Sequence, residues 1–137
     1  MDLLSISASI AALLSLTSTV VQYLAAVKGA SKESRKVLVE VSSVSGLLYQ
    51  LKDLAERERE GETSSRTVRL LSEPRGPLEQ LQTALNELAS KLTPVAGWEK
   101  PRRALVWPFQ KEEIKAILGT IERQKSLLGL ALQQDDM

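Results

Sequence analysis

Apolar residues recur along this chain at helical spacing, and no stretch alternates with the period of two that a half-buried strand needs. The first segment is apolar on most sides. Between Leu3 and Val27 there is no charged residue; 17 of the 25 positions are apolar or aromatic, and the other eight are Ser, Thr or Gln. Asp2 precedes the segment and Lys28-Gly29 follows it, the charge order that a helix macrodipole favours, with glycine as the stop. At about 1.5 Å per residue this helix spans roughly 37 Å, enough to cross a bilayer core of about 30 Å. Leu3, Leu4, Ile6, Ile10, Leu13, Leu14, Leu16, Val20, Val21 and Leu24 supply its large side chains. Small residues four apart (Ser5/Ser9, Ala8/Ala12, Ala11/Ser15, Ser15/Thr19) would let another helix backbone approach closely. The remaining helices are amphipathic and are expected to sheathe this one.

Ser31 is a good N-cap for a second helix running to about Glu60. Val41, Val44, Leu48 and Leu51 form its seam, which thins at Leu54 and Ala55, and Val37, Leu38 and Leu47 widen it. Its charged end, Glu56 to Glu60, is expected to project into solvent and stop at Gly61. Val68, Leu70 and Leu71 predict one or two helical turns after Thr63-Ser64-Ser65. Pro74, Gly76 and Pro77 then interrupt the chain, with Pro77 suited to the first turn of a new helix. In that helix Leu78, Leu81, Leu85, Leu88 and Leu92 follow a 3-4-3-4 spacing, and an end is expected near Lys91–Pro94. A connection from Thr93 to Gln110 leads to a last helix, Lys111 to about Leu132. Ile114, Ile117, Leu118, Ile121, Leu128 and Leu132 face its core side, interrupted by Lys125 and Gly129. The predicted fold is all-α: one domain over residues 1–137, an antiparallel helical bundle of four long helices plus one short helix. Residues 1–28 form the apolar N-terminal helix, and 133–137 are a polar tail or the start of a linker.

Composition narrows the chemistry. There is no Cys and no His, so thiolate metal sites, disulfides and the common nucleophile–base pairs cannot be built from this chain. The carboxylates stand beside Lys or Arg at positions expected to be solvated, such as Glu56/Arg59 and Glu112/Lys115. There is no phosphate-binding glycine loop. We therefore expect no enzyme activity, cofactor or metal. The net charge of +1 gives no global attraction to nucleic acid. A secretory signal is disfavoured, because the start carries Asp2 and the apolar stretch is long and diluted by Ser and Thr. That dilution also weakens spontaneous membrane insertion.

Trp98 to Lys111 joins four basic residues, Lys100, Arg102, Arg103 and Lys111, with three of the five aromatics. Such interleaving suits a lipid headgroup contact through Lys100, Arg102, Arg103, Trp107 and Lys111, with anionic lipid favoured over nucleic acid. The plainer alternative is that Trp107 and Phe109 cap one end of the bundle.

Met1 to Ala11 (MDLLSISASIA), Glu40 to Leu48 (EVSSVSGLL), Gly76-Pro77-Leu78, Leu105 to Phe109 (LVWPF) and Ile121 to Leu127 (IERQKSL) together resemble the HeLo-like N-terminal domain of fungal STAND proteins, the NOD-like receptors. The Trp-Pro-Phe segment followed by Lys111-Glu112-Glu113 is the most specific part, and Leu3 stands where many members have Pro. The likeness covers nearly the whole chain. It implies a regulated cell-death effector, similar to the four-helix domains of mixed-lineage kinase-like pseudokinases and some plant immune receptors. In that group the bundle is held inactive in the cytoplasm until an attached nucleotide-binding or amyloid-signalling region releases it. It then self-oligomerises and permeabilises the plasma membrane, in heterokaryon incompatibility and innate immunity. The partners so implied are anionic membrane lipids and further copies of the chain, not nucleic acid. A non-membrane helical interaction module, docking through the seams of the second and the Leu78–Leu92 helices, is the alternative.

Overall fold

The computed structural model describes residues 3–26, 31–59, 61, 66–98, 107 and 109–135; the side chains of 3–5, 59, 67, 93–98, 134 and 135 lie outside that description. Among the described residues the fold is all-helical, with five helices and no strand. They are α1 (Leu3–Ala25), α2 (Lys32–Arg59), α3 (Arg66–Leu71), α4 (Pro77–Trp98) and α5 (Lys111–Asp135).

Local chemistry sets the helix ends. Ser31 Oγ accepts the Ser34 amide at 3.1 Å, and Ser34 Oγ donates back to the Ser31 carbonyl at 3.0 Å. This closes the first turn of α2 by satisfying a donor that has no partner inside the helix. Ser31→Ala should lower stability by about 1 kcal/mol in a denaturant titration. Gly61 adopts φ 81° just past α2, and its amide donates to the Glu58 carbonyl at 3.0 Å, so the chain turns where glycine costs least. Before α4, Arg75 adopts φ 61° and its amide donates to Glu79 Oε2 at 2.6 Å. A Cβ on the next residue, Gly76, would meet the Glu73 carbonyl oxygen at 2.8 Å, so the turn has room only for glycine there.

One apolar core draws on all five helices. α1 and α2 pack against each other across a short connection and form one hairpin. α4 and α5 form the second. Their antiparallel register is visible in Lys91 meeting Glu113 while Gln80 and Thr83 share a groove with Thr120. The hairpins join by α1 packing on α4 and α2 on α5. The short helix α3 packs on α5 and α2, inserting Val68 and Leu71 and leaving Leu70 exposed.

Several expectations need correction. α1 is not sheathed: Ala8, Ser9, Ala11, Ala12, Ser15, Ser18 and Gln22 are exposed, because α1 has neighbours on the α2 and α4 sides only in strength. The small-residue pairs expected to receive a helix lie mostly on that open face. α4 does not end near Pro94 but continues to Trp98. Proline's fixed φ is already helical, and it forfeits one backbone hydrogen bond without forbidding the next turn. α5 runs beyond Leu132 to Asp135, since no breaker stands in between. The charged end of α2 is not wholly solvated: Glu58 is only 7% exposed, covered by α3, and Arg69 Nη2 lies 3.6 Å from its Oε1. The Lys28-Gly29 stop falls outside the described residues.

Candidate functional site

α1 carries two unlike faces. Ile6, Ile10, Leu13, Leu14, Val20 and Leu24 are buried, and Leu16 and Val21 are half-buried against the core. Leu3 and Leu4 have side chains outside the described residues. Thr17 sits in the middle of the buried stripe, fully enclosed, and its hydroxyl donates to the Leu14 carbonyl at 2.8 Å. That bond meets the donor's need within the helix itself, so the hydroxyl is tolerated among apolar neighbours. The opposite face is built from Ala, Ser and Gln. Among the described residues it presents neither a charge nor a large apolar side chain.

By length and composition, Ile6–Ala25 can cross a membrane, with a mean hydropathy of 1.5; only 28% of its apolar stretch is buried in the fold. A core helix of a soluble protein and a signal sequence meet the same criterion. The low burial separates α1 from a central helix enclosed on every side, and its composition separates it from a fully Leu/Ile/Val span.

A shallow groove of about 220 Å³ runs between α1 and the start of α4, lined by Ser9, Leu13, Ser72, Leu78, Glu79 and Gln82. A second, of similar volume, lies between α4 and α5 around Gln80, Thr83, Glu87 and Thr120. Neither gathers groups suited to acid–base work. Among the described residues no cluster of Asp and Glu is arranged to hold a metal ion.

The aromatic end of the fold is better defined. Phe109 is buried, and Trp107 is half-buried with its ring centroid 5.0 Å from that of Phe109. Lys91 Nζ lies 5.6 Å from the Phe109 centroid and forms an ion pair with Glu113. The Gln110 amide donates to Glu113 Oε1 at 3.4 Å, closing the start of α5. The Lys91 ammonium holds the Glu113 carboxyl below its ordinary range, against partial desolvation and aided by the Gln110 amide. The contribution of this contact is therefore present at neutral pH and is lost as pH falls through the carboxylate range. Of the five residues expected at a lipid headgroup, Trp107 packs against the core and Lys111 is exposed at the start of α5. Lys100, Arg102 and Arg103 lie outside the described residues.

The seams considered for a partner helix are occupied. Val41, Val44, Leu48 and Leu51 of α2 and Leu78, Leu81, Leu85, Leu88 and Leu92 of α4 are buried in the chain's own core. The large apolar side chains left exposed are Val39, Tyr49, Leu70, Leu127 and Leu130. Sequence reasoning did not find Thr17, Glu58 or the inward placement of Glu40 as notable. Thr17 stands within the apolar stripe at Leu13/Leu14/Val20, and that position was the available signal. No protein-family model, curated protein or solved structure matches this chain.

Proposed function

We propose that this chain is a conditional membrane-permeabilising module, a cell-death effector of the HeLo-like kind. Four long helices, α1, α2, α4 and α5, act as an antiparallel bundle that α3 bridges. At rest the module is cytoplasmic. When copies assemble, α1 leaves the bundle and enters an anionic plasma membrane, with Lys100, Arg102, Arg103 and Lys111 drawing lipid headgroups. The observation that carries this reading is α1 itself: a helix of bilayer length without a charge, whose outward face holds only small or uncharged side chains. The resemblance of the Met1–Ala11 and Leu105–Phe109 stretches to HeLo-like domains also favours it.

The open face supplies a discriminating test. Ala12 and Ser15 are exposed, so Ala12→Glu and Ser15→Glu leave the core intact and shift stability by less than about 0.5 kcal/mol. A charge near the centre of a membrane helix costs about 3 kcal/mol on insertion scales. Forced oligomers of the unaltered chain should release dye from anionic vesicles, and both variants should lose that release while keeping their circular dichroism and melting temperature. Sealed vesicles with the unaltered oligomer would overturn the reading. The exposed Val39, Tyr49, Leu127 and Leu130 favour a second reading, a protein-interaction module. It predicts dimers by light scattering and no co-sedimentation with lipid.

A further inference from the structure

Lys125 occupies the inner shoulder of α5, between the buried residues Ile121 and Leu128. An ammonium in such a place needs a counter-charge. Its Nζ meets Glu40 Oε2 of α2 at 2.6 Å, with the two side chains 31% and 16% exposed. Glu40 Oε2 is shut off from solvent, and Lys125 is its only counterpart among the described residues. Each of the other ion pairs lies within one helix, joins α4 to α5 in one hairpin, or, as Glu58–Arg69 does, ties α3 to α2. Lys52–Glu56 and Asp53–Arg57 are exposed turns of α2, and Lys91–Glu113 joins α4 to α5. Among the described residues, Glu40–Lys125 is the ion pair that crosses from one hairpin to the other.

We propose that Glu40–Lys125 is a charge clasp that holds the two hairpins closed, and that its loss lets them part. The physical reason lies in an asymmetry of secluded charges. While the pair is intact, each ion compensates the desolvation of the other. Once one partner is neutralised, the survivor is a charge withdrawn from water without compensation. The hairpins relieve that by separating until water reaches it. Among the described residues no ion pair crosses the α1–α4 seam, whose groove is lined by Ser9, Leu13, Ser72, Leu78, Glu79 and Gln82. With the clasp gone, no ion pair among the described residues holds α1 to α4, so this seam parts together with the α2–α5 seam.

Because the chain has no cysteine, a single engineered thiol reports opening without lipid. Leu13→Cys places it where α1 meets α4, and Ala84→Cys places it inside the α4–α5 hairpin. In the full chain, Lys125→Met and, separately, Glu40→Gln should speed labelling at the Leu13→Cys site about tenfold, between the scales of an exposed and a fully buried ion pair. Labelling at the Ala84→Cys site should change less than about twofold, since one hairpin stays intact. The exchange Glu40→Lys with Lys125→Glu should restore the slow rate. Equal acceleration at both thiols would reduce the pair to general stability and overturn the proposal, and so would no change at either. Since no membrane is present, the outcome is independent of whether α1 inserts.

Discussion

Leu48→Ala lowers the unfolding free energy by about 3 kcal/mol, whereas Tyr49→Ala, one residue later, changes it by less than about 0.5 kcal/mol. Urea titration followed by circular dichroism measures both. Leu48 is fully enclosed on the core side of α2, while Tyr49 is 60% exposed on the outside. Truncating Leu48 removes buried methyl and methylene groups and leaves a void that close-packed neighbours fill only in part. Truncating Tyr49 removes a ring that was already mostly in water, so little buried surface is lost. With five aromatics in 137 residues the core is almost wholly aliphatic, so stability is spread over many branched side chains of similar size. A loss well under the usual range, below about 1 kcal/mol, would mean that the helices close around the gap.

The second large effect concerns the proposed release of α1. A disulfide from Ser9→Cys to Gln82→Cys, across the groove the two residues share, ties α1 to α4. With no natural cysteine to compete, the tether is the only bridge the chain can form. Oxidised protein should fold as before and release no dye from anionic vesicles, and added reductant should restore full release. Release by the oxidised form, with the bridge verified by mass, would show that α1 need not leave its place. The same bridge should raise the melting temperature by removing freedom from the unfolded chain, as closure of a long loop predicts.

The helices themselves were legible in the sequence because their seams are regular. Leu78, Leu81, Leu85, Leu88 and Leu92 are all buried, as their spacing predicts, and so are Val41, Val44, Leu48 and Leu51. The arrangement was not legible in the same way. A stripe tells which face of a helix is buried but not which neighbour covers it. The apolar abundance of α1 suggested a central helix, yet its small side chains are what an open face tolerates. Lys125 read as an interruption because its partner is 85 positions away, on α2. Glu58 read as solvated because its cover, α3, comes from beyond a glycine turn. Pro94 read as a helix end because proline usually is one, and here the backbone runs through it.

For the candidate site the balance is similar. The charge-free run of α1 was visible at once, and all eight of its large aliphatic residues whose side chains are described are packed inward. The outward Ala12 and Ser15, which allow insertion to be tested without touching the core, required the fold.

Thr17 and Thr19 add a last point about α1. The Thr17 hydroxyl donates to the Leu14 carbonyl at 2.8 Å, and that of Thr19 to the Ser15 carbonyl at 3.1 Å. Both partners lie on the same helix, so neither bond depends on a neighbour, on water or on the rest of the fold. The helix carries these donors already satisfied between surroundings of different polarity. Its transfer cost is accordingly smaller than a count of hydroxyl groups would indicate.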